Sequence, residues 1–164
     1  MNKLTVLTTG GTIDKIYFDD KSDYQVGEPE IGRILRLMSV AFEWEVQPLM
    51  RKDSLHLDAS DREAIREAVE ASPDSHFLIT HGTDTMVETA SALAGLADKV
   101  IVLTGALNPA RFIDSDAVFN IGCAVGAVQL LQPGTWIAMN GRIWNPAQVR
   151  KNRDANRFEA RQES

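Results

Sequence analysis

Two short stretches of this chain concentrate groups that can do chemistry. The first is Gly10-Gly11-Thr12-Ile13. Paired glycines let the backbone approach a ligand closely and leave amide N–H groups pointing outward, which suits a carboxylate, a phosphate or an oxyanion. A phosphate loop wants a third glycine and a lysine at fixed spacing, and neither the Walker nor the dinucleotide pattern fits. Thr12 offers a hydroxyl instead, and a plain structural turn remains the competing reading. The second stretch, His81-Gly82-Thr83-Asp84-Thr85, sets hydroxyl, carboxylate and hydroxyl in a row. One of them could cap a following helix, but a cap needs only one such residue, and a carboxylate there would hold a substrate ammonium. His81 reads as a hydrogen-bonded structural residue rather than a general base. His56 and His76 read as a loop residue and a strand start, so no metal pair is expected.

Those stretches must be positioned by regular elements, and the pattern of the chain supplies them. Leu4–Thr9, Glu43–Val46, His76–Thr80, Lys99–Thr104 and Thr135–Met139 read as short strands. Most are apolar on both parities and stop at Gly, as expected for parallel strands covered on both faces. Helices are expected over Ile31–Met38, from a capping box at Ser60–Glu63 onward, over Asp84–Ala97 and over Asp114–Leu131. The alternation predicts a single, doubly wound, open α/β sheet, mostly parallel. In such sheets ligands bind beyond the carboxyl ends of the strands. That rule collects Thr9–Thr12, His81–Asp84 and Thr104–Ala106 at one edge. Residues 13–25 show no period and read as a long functional loop.

Composition bounds the remainder. The chain has 164 residues, of which 44% are hydrophobic, enough for one core. No apolar run approaches the roughly 18 residues of a membrane span, and no secretory signal is visible. One cysteine, Cys123, excludes an intramolecular disulfide and a Cys-based zinc site, and a reducing cytoplasm is the default. The net charge of −6 argues against nucleic acid as the main partner. The charge is uneven, because residues 150–164 are basic on balance, with Arg150, Lys151, Arg153, Arg157 and Arg161. The expected organisation is a catalytic domain over 1–150 and a basic, polar tail over 151–164, read first as a solvated terminal helix or a frayed end and otherwise as a contact to a partner subunit or the active site. Its polar ending reads as a genuine terminus.

At this point the motifs acquire a family. Thr8-Thr9-Gly10-Gly11-Thr12-Ile13 and Ile79-Thr80-His81-Gly82-Thr83-Asp84-Thr85-Met86 resemble the two signatures of the bacterial-type L-asparaginase/glutaminase family. Ser22-Asp23-Tyr24-Gln25-Val26-Gly27 is similar to its lid, Asp53-Ser54 to its substrate-binding turn, and Leu103–Ala106 with Asp114–Asn120 to the strand and helix that follow. The collinear match covers about residues 3–152, and resembles the amino-terminal domain alone of a two-domain family. The resemblance implies amide hydrolysis through a covalent acyl-enzyme. Thr12 is then the nucleophile, activated by a base, with backbone N–H groups near Thr12 and Thr83 stabilising the oxyanion. Thr83 matches the family's second threonine, Asp84 the ligand of the substrate α-amino group and Ser54 that of the α-carboxylate, with Gly11 also counted among the substrate-binding residues. Tyr24 aligns with the lid tyrosine, and Tyr17, five residues after Thr12, is carried beside it. No cofactor and no metal are implied.

Two departures shape the expectation. The family's lysine, which pairs with Thr83 and Asp84, is sought after the long helix, where this chain reads Gln129-Leu130-Leu131-Gln132-Pro133. Beyond Thr83 the chain has only Lys99, at the wrong end of a strand, and Lys151, in a stretch similar to a Val-Thr-Lys-Thr-Asn stretch of the family. Longer members also complete the site from a neighbouring subunit's second domain. A homo-oligomer is therefore expected, with Gly122 and Gly126 allowing close helix contact. A small amino-acid amide is the expected partner. A glutaminase or other small-amide hydrolase, a non-catalytic amino-acid-binding domain and a truncated fragment are the alternatives.

Overall fold

The computed structural model describes residues 1–18 and 23–161. Ten strands and four α-helices follow one another as β1 (Lys3–Gly10), β2 (Lys15–Phe18), β3 (Asp23–Val26), α1 (Ile31–Leu37), β4 (Glu43–Lys52), α2 (Ala59–Ala71), β5 (His76–Thr80), α3 (Met86–Ala92), β6 (Val100–Thr104), α4 (Ala117–Val128), β7 (Gly134–Met139), β8 (Arg142–Trp144), β9 (Val149–Asn152) and β10 (Arg157–Ala160). The central sheet runs β4-β1-β5-β6-β7-β8. Its first five strands are parallel, and β8 returns antiparallel to β7.

Both faces of the sheet's interior are covered, which explains why its inner strands β1, β5 and β6 are apolar on both parities. Leu7, Phe77, Ile79, Ile101 and Leu103 pack toward α2, α3 and the β9–β10 hairpin. Leu4, Val6, Leu78, Val100 and Val102 pack toward α1 and α4. The doubly wound α/β fold read from the sequence is the observed one. The chain leaves β1 through α1 to reach β4 on one side, then returns through α2 to β5 on the other side. The gap between the ends of β1 and β5 is thus the topological switch point, where open α/β sheets bind ligands. Thr12 follows β1 and Thr83 follows β5.

Several elements differ from their sequence readings, each for a local reason. The second helix is capped by Asp58, not Ser60: Asp58 accepts the Asp61 N–H, and the Asp61 carboxylate accepts the Asp58 N–H in return. The helix read from Asp84 starts at Met86, because Thr83 and Asp84 are held elsewhere and the Thr85 hydroxyl donates to the Ser54 carbonyl at 2.7 Å instead of capping. The helix read over Asp114–Leu131 spans only Ala117–Val128. The Asp116 carboxylate before it accepts the Leu107 and Asn108 N–H groups and so fixes the loop after β6. The strand read as Glu43–Val46 runs on to Lys52 through Pro48, which an edge strand tolerates.

The two segments read as irregular are both hairpins. In place of a loop, β2 and β3 pair antiparallel, with Tyr17 opposite Tyr24. In place of a terminal helix or frayed end, β9 and β10 pair antiparallel, with Phe158 opposite Lys151. Phe158 joins the core against α3 and β7, which turns a charged segment into a fixed wall of the molecule. Truncating a buried phenylalanine to alanine costs about 3–5 kcal/mol. Phe158→Ala is therefore expected to lower the urea midpoint by a free energy of that order, and an unchanged midpoint would show that the hairpin is not anchored.

Candidate active site

The carboxyl edge of the sheet is assembled from backbones that touch. Gly10 and Gly11 adopt φ of 96° and 89°, a region that glycine enters without cost. A Cβ on Gly11 would collide with the backbone of Gly82, and a Cβ on Gly82 would lie 2.6 Å from Cβ and Oγ of Ser54. The loops after β1 and β5 therefore meet backbone to backbone, the Ser54 side chain packs against Gly82 from the loop after β4, and together they carry Thr12, Thr83 and Ser54 to one place. The Gly11 N–H donates to the Lys52 carbonyl at 3.0 Å. Beside it, the Lys15 ammonium meets the Asp53 carboxylate at 2.9 Å, and that carboxylate accepts the Leu55 N–H.

The loop after β5 is braced from behind by His81, which is fully buried. Its Nδ1 lies 2.6 Å from the Gly82 carbonyl, an acceptor, so Nδ1 carries the proton. Nε2 then accepts from the Thr89 hydroxyl at 2.9 Å, and Arg62 Nε donates to that hydroxyl. Burial drives the His81 pKa down to about 4, so the ring is neutral. This is the structural role read from the sequence.

Lys151, on β9, reaches across to the same loop. Its Nζ donates to Thr83 Oγ1 at 2.8 Å. Burial holds the ammonium below the usual lysine range; Asp84 opposes that shift and Arg153 reinforces it. Neither Thr83 nor Asp84 caps a helix. The Asp84 carboxylate lies 3.7 Å from Arg153 Nε, across the same cleft.

The β2–β3 hairpin hangs over this edge and is rooted at Asp14. The Asp14 carbonyl accepts the Gly27 N–H at 2.7 Å, and its carboxylate accepts the Glu30 N–H at 2.9 Å. Tyr17 and Tyr24 are half exposed with ring centroids 5.5 Å apart, and Phe112 from the loop after β6 lies 6.3 Å from Tyr24. Behind them Glu30 is buried between Arg33 and Arg111, each at 2.6 Å. Burial pushes its carboxyl upward, but the two guanidiniums outweigh that and hold it below the usual glutamate range.

Comparison with known proteins now decides the relationship. The family described as Asparaginase, N-terminal, matches residues 3–163. This chain belongs to the asparaginase family. It is 30% identical over 158 residues to the L-asparaginase of Thermococcus kodakarensis, covering 91% of this chain and 47% of that protein. It is 32% identical over 133 residues to a Glutamyl-tRNA(Gln) amidotransferase component of Thermoplasma acidophilum, covering 75% of this chain and 32% of the relative. The solved thermostable L-asparaginase from Thermococcus kodakarensis superposes with a TM-score of 0.82 at 28% identity, over 96% of this chain and 51% of that one. The chain thus spans 32% to 51% of the length of these relatives.

Within the asparaginase frame, the sequence-derived residues fall into groups. Gly11, Ser54, Gly82 and the loop bearing Thr83 and Asp84 are brought together, and Lys151 joins them. Lys99 is at the opposite end, where its Nζ donates to the Ser72 and Asp74 carbonyls. Ser22 of the lid segment lies outside the described residues. Sequence reasoning gave Arg153 only as one of the basic residues of a tail that could contact the site, with nothing to pair it with Asp84, and it missed the Arg62–Thr89–His81 relay behind the site. Among the described residues no group of three His, Cys, Asp or Glu side chains is disposed to hold a metal, and no helix is long and apolar enough to cross a membrane.

Two buried groups give opposite pH dependences. Burial raises the Asp14 carboxyl from 3.8 to about 7, so its contribution to stability is greatest below pH 3.8 and is lost as the pH rises to about 7. The His81 pKa is depressed, so its contribution is present above pH 6.5 and is lost as the pH falls toward 4. Asp14→Asn is expected to remove the first slope, worth about 4 kcal/mol by linkage. The check is the difference in unfolding free energy between wild type and variant at pH 4 and pH 8; equal differences would show that Asp14 titrates normally.

Proposed function

We propose that this chain hydrolyses the side-chain amide of L-asparagine to L-aspartate and ammonia through an acyl-enzyme on Thr12. The observation that carries the reading is the 2.8 Å bond between Lys151 Nζ and Thr83 Oγ1, beside Asp84 and on the loop that interlocks with the Thr12 loop. A threonine hydroxyl is a weak nucleophile and needs a base. A lysine with a lowered pKa, bonded to a hydroxyl, supplies one once deprotonated. In this reading Asp84 receives the substrate α-ammonium and Ser54 its α-carboxylate, while Tyr17 and Tyr24 close the site from the hairpin.

The chemistry proceeds in two steps. The Thr12 hydroxyl oxygen attacks the carboxamide carbon, its proton passing to the Lys151–Thr83 pair. Backbone N–H groups of Thr12 and Thr83 serve the developing oxyanion, since that of Gly11 is taken by the Lys52 carbonyl. The same pair returns the proton to the departing nitrogen, so ammonia leaves and an ester on Thr12 remains. Water, deprotonated by the pair, then attacks the ester carbon. The Thr12 oxygen departs with a proton, and aspartate is released.

The amidotransferase named among the relatives favours a second reading, hydrolysis of a glutamine-type amide. One extra methylene changes binding by only about 1–3 kcal/mol, so both amides belong in one assay. Ammonia release from L-asparagine is expected to fall about a thousandfold or more in Thr12→Ala and about 10²–10⁴-fold in Lys151→Met, with circular dichroism unchanged. Turnover surviving in Thr12→Ala would remove the nucleophile assignment. Turnover of glutamine alone would select the second reading, and no turnover of either amide by folded wild type would favour a binding domain.

A homo-oligomer is part of the proposal, as is a reducing, cytoplasmic setting in keeping with the single cysteine. Val118, Phe119 and Leu130 are exposed on and just after α4, and among the described residues nothing beyond the local backbone of α4 lies within 4 Å of the Cβ positions of Gly122 and Gly126. Sedimentation is expected to give a mass of at least twice the 18.1 kDa of one chain. A sharp 18.1 kDa species at micromolar concentration would sink the oligomer.

A further inference from the structure

His81 is fully buried, moves no proton in the two hydrolytic steps, and is bonded at both ring nitrogens. Those bonds have one consistent direction. The Arg62 guanidinium carries donors only, and its Nε gives one to Thr89 Oγ1 at 3.2 Å. At the other end the Gly82 carbonyl is an acceptor only, 2.6 Å from Nδ1. Burial keeps the ring neutral, so it has a single N–H, and Nδ1 must hold it. Nε2 is then bare and accepts the Thr89 hydroxyl proton at 2.9 Å, while a lone pair of that hydroxyl takes the Arg62 donor. Arg62, Thr89 and His81 thus form one donor chain that ends on the Gly82 oxygen.

That oxygen belongs to the peptide group joining Gly82 to Thr83. The group is planar and trans, so the Thr83 N–H points opposite to the Gly82 carbonyl. The carbonyl faces the buried ring; the N–H faces away from it, and among the described residues no acceptor takes it. The ladder between β5 and β6 ends one residue earlier, where the His81 N–H donates to the Thr104 carbonyl at 2.9 Å. Packing against Gly11 and Ser54 fixes where Gly82 sits, and the bond from His81 fixes how its carbonyl is turned. A carbonyl that accepts a hydrogen bond also makes the N–H of the same peptide a stronger donor. We propose that His81 is a positioning residue for the oxyanion: its Nδ1–H, kept in place by the Arg62–Thr89 chain, turns and polarises the Gly82–Thr83 peptide so that the Thr83 N–H is presented to the reacting carbonyl. The inference rests on the reading that this N–H serves the oxyanion.

The test begins with the ring itself. In nitrogen NMR of the wild-type imidazole, Nδ1 is expected to be protonated and Nε2 bare; a ring protonated at Nε2 overturns the proposal whatever the activity. Kinetics then compare His81→Leu, which removes the donor, with His81→Asn, whose side-chain N–H group stands where Nδ1 stood. Deleting an oxyanion donor lowers kcat by about 10²–10³-fold, and misdirecting one costs less. His81→Leu is expected to lower kcat on L-asparagine about tenfold with KM within about twofold, and His81→Asn to recover most of that loss. Equal losses in the two variants, a loss confined to KM, or no loss in His81→Leu overturns the proposal. The Thr83 amide nitrogen, whose resonance responds to a hydrogen bond on the preceding carbonyl, separates this from a failure of the catalytic reading. If folded wild type hydrolyses neither amide, a resonance that moves in His81→Leu and stays near wild type in His81→Asn still upholds the role of His81, and equal movement in both overturns it.

Discussion

Contact between the Gly11 and Gly82 backbones holds the site together. Both residues lie just beyond the ends of adjacent parallel strands, at the one place where the winding of the sheet reverses. A parallel sheet splays its connections to opposite faces there and leaves a crevice. Here the crevice is narrowed until only main chain fits, and Ser54 closes it from the third loop. Any Cβ at Gly11 or Gly82 would push the loops apart, and the hydroxyls of Thr12 and Thr83 would separate with them. The buried neutral His81, held by Thr89 and Arg62, stiffens the same junction by fixing the Gly82 carbonyl.

Much of this was legible in the chain. Four of the five parallel strands announce themselves as short apolar runs ending at glycine or at a turn, because burial on both faces removes the need for polar alternation, whereas the edge strand β4 alternates charged and apolar residues. The two threonine-bearing motifs sit at those ends, so the strand-end rule locates them without coordinates. The β2–β3 hairpin was not legible, since a two-stranded ribbon with half-exposed Tyr17 and Tyr24 has no buried face to impose a period. The β9–β10 hairpin was hidden for a related reason. Phe158 is a lone apolar residue among Arg157, Glu159 and Arg161, and one buried ring does not make a pattern. The helix ends were misread because the polar residues before them serve other loops.

Lys151 shows where residue type and position part company. The sequence offers two lysines after Thr83 and excludes Lys99 by its place before a strand. What it cannot state is that a charged terminal segment folds back as a hairpin and presents one ammonium to Thr83. That depends on Phe158 entering the core on the opposite strand from Lys151, a packing event rather than a local preference. Arg153 arrives at Asp84 by the same fold-back.

The long strand β4 lies at one margin of the central sheet, with Pro48 in its middle and Glu43, Glu45 and Arg51 along it. A bare margin of this kind invites another chain to add a strand, which is how sheets grow into aggregates. Proline supplies no N–H for such pairing, and the flanking charges would have to be stripped of water to be covered. Copies of this chain are thereby steered away from growing a shared sheet through β4, leaving its helical faces to make whatever contacts it forms.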